Sequence, residues 1–263
     1  MPGPGLRPPM IVDPLFFAAA LPAVLLLGLA KGGFYGVGLL SLPIVSLVVP
    51  PLQAAAILLP ILIVQDAVTV WLFRAHWSRR VLGVMLPGAL GGVLLGWLLA
   101  ARVSDAAISF LLGAICIGFA ARQLWLERAG PPEPRPGGLL AGIVCGAASG
   151  FASMIAQAGG PPYQIWVMPQ RLPRDVLVGT SAIFFAILNW TKVVPFIALG
   201  QLDAAALLTS AALMPVAIGA SFAGVALVRR VPVARLYPLI NGLLLLVGLQ
   251  LTLDGGRRLG LFG

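Results

Sequence analysis

Three ionisable side chains lie inside long apolar stretches of this sequence, where a charge is costly. Lys192 lies midway along one apolar run, shortly after Asn189. Asp66 lies in an earlier run beside Gln65, and Lys31 precedes a group of glycines. A charge at the centre of a membrane helix costs about 2.5–3.5 kcal/mol on insertion scales, so such residues commonly have a function. Ammonium groups beside amide donors predict a binding pathway for a small anion.

The polar residues within the apolar runs fall at related places in the two halves of the chain. When the halves are aligned, Gln65 and Asn189 occupy the same position. We predict that these two amides and Lys192 line a central anion pathway. Two interpretations stand for Asp66: it forms a salt bridge, to Lys192 or between helices, or it takes up and releases a proton as the coupling group.

Glycine-rich interruptions near the start of each half form the second part of the predicted site. Glycine lets the backbone leave a helix, and a helix that begins at such a break presents free N–H groups and partial positive charge to an oxyanion. The alternative is that the glycines permit close helix packing and that Lys31 reaches the membrane surface. From these breaks we predict six substrate-binding residues: Lys31, Gly32, Gly33, Ser149, Gly150 and Gln157.

One residue skeleton occurs twice in the chain. The spacing Pro-x3-Gly-x4-Gly-x5-Arg is found at residues 87–102 and again at residues 215–230. A duplicated half in a very apolar chain is typical of secondary transporters built from internal repeats. The glycines at 91, 92, 96, 219 and 224 are better explained by helix packing than by substrate binding.

The composition predicts a membrane protein and disfavours other classes. Hydrophobic residues make up 60% of the chain and charged residues 10%, against roughly a quarter charged in soluble domains. The apolar runs are continuous, unlike the alternating strands of a membrane barrel. The arginines lie in short loops between these runs, as membrane topology requires, so we expect no nucleic acid partner. A single histidine and few acids provide no metal site, catalytic triad or cofactor-binding motif, so we expect no enzyme and no cofactor.

The predicted fold is an all-α polytopic membrane protein with two internal repeats of about five helical segments each. Short broken or re-entrant helices are expected near the start of each repeat. A polar, proline-rich segment separates the halves. The predicted organisation is a flexible N-terminus at 1–14, a first membrane repeat at 15–126, a polar linker at 127–138 and a second membrane repeat at 139–256.

Loop charges predict that the two repeats are inverted. The loop at 74–80 (RAHWSRR) is strongly basic, whereas its second-half equivalent at 200–203 (GQLD) has no basic residue. The opposite holds one loop later, where Arg229, Arg230 and Arg235 lie close together. Because basic loops mark the cytoplasmic side, the charge has changed sides, as five segments per half would require. If the short second segments re-enter without crossing, the count is eight and the repeats are parallel.

Two glycine-rich segments resemble a known family. Residues 28–38 (GLAKGGFYGVG), followed by Leu42-Pro43, and residues 142–151 (GIVCGAASGF) resemble the two repeat signatures of the TauE/SafE sulfite exporters, also called toluene sulfonate uptake permeases. The resemblance covers about residues 15–253. It implies transport of sulfite, sulfonates such as sulfoacetate, or other small sulfur-containing anions across the bacterial inner membrane, driven by the proton gradient. The second segment lacks the usual three glycines, so its site residues are not transferred from the family.

Two functions from different classes remain open at this stage. The first is a secondary transporter, whose partners are a small anion, the lipid bilayer and protons as the coupling ion, with a homo-oligomer open. The alternative is a non-transporting membrane scaffold or assembly factor that presents basic cytoplasmic loops. Polar residues at equivalent places within the apolar runs favour transport, because a scaffold does not need them.

Overall fold

The fold consists of helices. The structure, a computed structural model, describes residues 11, 13–31, 36–100, 102–130, 133–228 and 237–261, and it contains no strand in these ranges. Two 3₁₀ turns, Val37–Leu40 and Met168–Gln170, flank short helices. The described helices are α1 (Pro14–Lys31), α2 (Ser41–Ser46), α3 (Pro51–Phe73), α4 (Arg79–Ala100), α5 (Asp105–Ala129), α6 (Leu139–Ala156), α7 (Gly160–Val167), α8 (Arg174–Ala198), α9 (Ala204–Val228) and α10 (Tyr237–Arg258).

Eight of the helices in the described ranges are long and apolar enough to cross a membrane. They are all of the helices except α2 and α7, which are short and directly follow the two glycine-rich breaks. The protein is therefore a multi-pass, all-helical membrane protein, as predicted. The predicted short helix near the start of each half is also confirmed.

The helix ends differ slightly from the predicted segment boundaries. Helix α5 continues through residues 127–129 of the predicted linker and ends at Gly130, whose φ of 83° places it in the left-handed region. The Gly130 N–H donates to the carbonyl of Leu126, a common way to end a helix. Helix α10 extends to Arg258, which forms an ion pair with Asp254 one turn earlier. Polar residues beyond the apolar core thus lengthen both helices.

Each main helix–helix contact has an equivalent contact between the counterpart helices of the two halves. Helix α4 of the first half packs along α6, and its counterpart α9 packs along α1. Helices α3 and α8, which are counterparts of each other, are in contact, and so are α5 and α10. This pattern is what a two-fold relation between the halves produces.

Counterpart helices run in opposite directions. Asp66 in the second half of α3 contacts Asn189, whereas the Ser78 N–H beyond the end of α3 donates at 2.9 Å to Thr180 near the start of α8. Similarly, Asn241 at the start of α10 donates to a glutamate at the end of α5. Antiparallel counterparts are what inverted repeats require, and they require that the short helices α2 and α7 count as the fifth segment of each half. The orientation of the halves relative to a membrane stays a prediction.

The contact between α4 and α6 depends on glycines. A Cβ atom at Gly92 would lie 2.0 Å from the Ala147 carbonyl oxygen, and one at Gly150 would lie 1.9 Å from that of Ala89. Small residues let membrane helices approach this closely. Gly96 and Gly224 are packed similarly, so the packing interpretation is correct for them. It is wrong for Gly91 and Gly219, which have no described atom near the Cβ position and lie on outward faces.

The described part of the polar linker is bound to neighbouring loops. Arg80 donates to the Gly137 carbonyl at 3.2 Å, and the Trp166 indole N–H donates to the Gly138 carbonyl at 3.0 Å. The Arg135 N–H donates to the carbonyl of Pro169 at 3.1 Å. The linker, the basic loop and the end of α7 therefore form one joined surface at one end of the bundle.

The α4–α6 contact generates a stability prediction. Gly92→Leu should lower the free energy of unfolding by at least about 1–3 kcal/mol, because the new side chain cannot fit without separating the helices. Gly91→Leu, one residue away on the outward face, is the matched control and should have little effect. The thermal midpoint of the protein in detergent measures both. Equal losses in the two variants would contradict this packing.

Chain direction generates a topology prediction. In a background in which Cys116 and Cys145 are replaced by alanine, single cysteines are introduced at Ala75 and at Gln201. These loops follow α3 and α8, which are antiparallel, so a membrane-impermeant maleimide should label only Gln201→Cys in intact cells. Labelling of both positions from the same side would contradict inverted repeats.

Candidate functional site

One cavity lies where the two glycine-rich breaks meet. Its volume is about 130 Å³, several times the space that one water molecule needs. Lys31 and Gly36 line it from the first break, and Gln157 and Gly160 line it from the second. Asn189 on α8 and residues of α3 complete the wall. Both breaks therefore face the same space inside the helix bundle.

The carboxylate of Asp66 is held from two sides. The Lys31 Nζ donates to Oδ1 in an ion pair, and the Asn189 Nδ2 donates to Oδ2 at 2.6 Å. The Asp66 side chain is 1% exposed, and that of Lys31 is 13% exposed. Lys31 and Asn189 reach the cavity wall, whereas Asp66 lies behind them. Two of the donors that line the cavity are thus already bonded to one carboxylate.

Lys192 is fully buried and is surrounded by oxygen atoms. Its Nζ donates to the Ser153 carbonyl at 3.3 Å, to the Ser153 hydroxyl at 3.1 Å and to the Gln157 Oε1. Among the described residues these partners are all neutral, and no carboxylate lies within ion-pair distance of Lys192. The suggested Lys192–Asp66 salt bridge is therefore wrong. Helix α1 ends beside α3 and brings Lys31 to Asp66, whereas the end of α6 supplies acceptors to Lys192.

The three buried charges do not cancel. With all three groups ionised, two ammonium groups and one carboxylate leave one net positive charge in the cluster. Lys192 interacts electrostatically with both Asp66 and Lys31. An unbalanced buried charge is costly in a protein interior. The cluster therefore favours the entry of one negative charge.

Gln157 connects the two parts of the site. It ends α6 in the left-handed backbone conformation, with a φ of 50°, which residues other than glycine rarely adopt. Its Oε1 accepts from Lys192, and its Nε2 donates at 3.3 Å to the Ala55 carbonyl on α3. Strained residues of this kind concentrate at functional sites. The side chain also lines the cavity, and its predicted role in substrate binding stays a prediction.

Ser149 and Gly150, which were also predicted from the second break, do not line the cavity. The Ser149 hydroxyl donates at 2.6 Å to the Gly159 carbonyl and so supports the second break from within α6. Gly150 packs against α4. Gly32 and Gly33 lie outside the described residues. The structure thus gives Ser149 and Gly150 positions suited to shaping the break.

Gln65 lies deeper than its counterpart Asn189. Its side chain is fully buried, and its Nε2 donates at 3.1 Å to the Ala217 carbonyl on α9. Its Oε1 accepts no hydrogen bond from the described residues. The two pseudo-equivalent amides therefore have different surroundings: Asn189 faces the cavity and Gln65 faces α9.

Several cavity-lining residues were missed in the sequence. Ser153 lies on α6 and Gln164 on α7, and Phe185 of α8 forms an apolar part of the wall. Phe185 lies against Tyr163, with ring centroids 5.4 Å apart. Ser153 could have been found from its position one helical turn before Gln157, which places both on one face of α6.

Comparison with known proteins places the chain in a family. The model of the family described as sulfite exporter TauE/SafE matches residues 20–251. The chain belongs to this family. No curated protein and no solved structure matches it. The family resemblance of the two glycine-rich segments is confirmed, and membership of a family of membrane transporters agrees with the eight apolar helices.

Proposed function

We propose that this TauE/SafE member is a secondary transporter of small sulfur-containing anions, such as sulfite or an organosulfonate like sulfoacetate, in the bacterial inner membrane. The observation that carries the proposal is the cavity between the two breaks, with the Lys31 ammonium and the Asn189 amide in its wall. Substrate sites of repeat-based transporters lie at such interrupted helices. The family description supports a sulfur-containing anion.

The electrostatics of the cavity favour an anion over a cation. With all three groups ionised, the buried cluster formed by Lys31, Lys192 and Asp66 has one net positive charge, which attracts an anion. At a separation of 4 Å and an effective dielectric constant of 20, two opposite unit charges attract by about 4 kcal/mol. Ser153 and Ser181 in the wall add hydroxyl groups. A sulfite or sulfonate group has three oxygens and can accept from several of these donors together.

The cavity also has an apolar wall that suits a short organic group. Leu27, Leu39, Leu62 and Phe185 line it beside the polar residues. A site with a few placed polar groups and otherwise apolar lining is usual for small-molecule binding. A small organosulfonate can place its anionic end at Lys31 and its carbon chain against these side chains.

The scaffold alternative has less support than transport. A scaffold would use the basic loop as its binding surface, yet part of this loop is already bonded within the protein. Arg80 bonds the linker carbonyl at Gly137, and the guanidinium groups of Arg74 and Arg79 lie 5.8 and 5.7 Å from the ring centroids of Trp71 and Trp77. A scaffold also has no use for buried charges around a central cavity.

Counterflow in liposomes tests the proposed transport. Protein reconstituted in liposomes loaded with sulfite or sulfoacetate should accumulate the labelled anion from outside. Lys31→Gln and Lys192→Gln should each reduce the rate about tenfold or more, because a hydrogen bond to a charged group contributes about 1.5–3 kcal/mol. Arg135→Gln removes an exposed arginine of the linker and is the matched control, with no expected change.

If no anion from a panel of sulfite, sulfoacetate and simple sulfonates exchanges, the result contradicts the proposal that the protein transports such anions. If both lysine variants also behave like the unaltered protein in cells, the scaffold alternative becomes the better account.

A further inference from the structure

The ion pair of Asp66 occupies the donors that a substrate needs. Within the described residues, the Lys31 ammonium and the Asn189 amide face the cavity, and each donates to a different oxygen of the Asp66 carboxylate. An anion that reaches Lys31 therefore meets a donor already engaged by a carboxylate of the protein. Asp66 holds the place that the negative charge of the substrate would take.

A displaced Asp66 carboxylate could not remain charged where it lies. Its side chain is 1% exposed, and its two hydrogen-bonding partners are the ones that the anion would use. A buried carboxylate that loses its partners becomes protonated, because the neutral form avoids the cost of desolvation. Binding of the anion and uptake of a proton are then two parts of one event.

We propose that Asp66 is the proton-coupling residue of this transporter and that the substrate anion competes with its carboxylate for Lys31, with one proton carried for each monovalent anion. This inference rests on the proposed transport function and extends it to the coupling ion. A proton from water on the entry side binds an oxygen of Asp66, and the anion takes over the Lys31 ammonium. On the other side the anion leaves, Asp66 releases its proton to water, and the ion pair re-forms.

The charge balance of the cluster supports this stoichiometry. In the empty state Lys31, Lys192 and the ionised Asp66 sum to one positive charge. In the loaded state the two ammonium groups, the neutral Asp66 and one anion again sum to one positive charge. The buried charge is thus the same in both states, so loading does not add charge to the membrane interior. Proton and anion move in the same direction.

Asp66 is the acidic group of this cluster, and the residues that surround it are basic or neutral. From α1 it faces Lys31, and from α8 it faces the neutral Asn189 and, farther away, Lys192. Its neighbour Gln65 on α3 is neutral. No other carboxylate or histidine is buried among the described residues. Lys192 lies behind the cavity wall and donates only to neutral acceptors among the described residues.

Anion binding as a function of pH tests the proposal. Binding of radiolabelled methanesulfonate, which stays a monoanion from mildly acidic to mildly alkaline pH, is measured on purified protein in detergent. In the unaltered protein, the Kd should rise with pH, with a slope approaching tenfold per pH unit, as linkage to one proton requires. In Asp66→Asn the Kd should be independent of pH and no weaker than that of the unaltered protein at acidic pH.

Two further variants serve as controls for the binding experiment. Asp254→Asn removes an exposed carboxylate of α10 and should keep the pH profile of the unaltered protein. Asp66→Glu keeps an acidic group and should retain pH dependence with a displaced midpoint. This variant distinguishes loss of the acid from a structural disturbance at position 66. In liposomes, an acidic outside should drive methanesulfonate uptake by the unaltered protein. Asp66→Asn should retain counterflow and lose this accumulation.

The failing outcomes separate the two proposals. If the unaltered protein binds methanesulfonate with no dependence on pH, or if Asp66→Asn keeps the pH dependence, the role of Asp66 is wrong while transport stands. Uptake stimulated by an acidic interior would show antiport and would also overturn the inference. If the unaltered protein neither binds nor exchanges any anion of the panel, the proposed function itself fails.

Discussion

The rest of the structure depends on one interaction, in which a buried carboxylate accepts hydrogen bonds from two donors on other helices. Asp66 on α3 binds Lys31 at the end of α1 and Asn189 on α8, so three helices meet at one charge in the membrane interior. An unpaired charge at this depth is costly, and the pair therefore holds the end of α1 beside α3. Because the second break is held nearby by Gln157 and Lys192, one cavity forms between the two.

In the proposed cycle, the substrate anion replaces the Asp66 carboxylate at Lys31. Occupancy of the cavity and ionisation of Asp66 then oppose each other. Lys192 donates to neutral oxygens among the described residues, and we propose that its positive charge attracts the anion to the cavity. A binding site and a coupling device can thus share three charged side chains.

The apolar runs were sufficient to predict the helices, because membrane helices depend on length and hydrophobicity, which are local properties. Lys31, Gln157 and Asn189 were predicted to bind substrate, and they line the cavity. The partner of Asp66 could not be predicted, because the sequence does not tell which of two lysines from different helices comes closer. Glycine has two uses that look alike in sequence, and only packing shows that Gly150 contacts Ala89.

Infrared difference spectroscopy tests the exchange at Asp66 most directly. The spectrum of the protein in detergent at neutral pH is compared before and after addition of methanesulfonate. The account predicts a new carbonyl band of a protonated carboxylic acid on anion binding, matched by loss of carboxylate absorption, and neither change in Asp66→Asn. Anion binding in the unaltered protein with the Asp66 carboxylate still ionised would contradict the account.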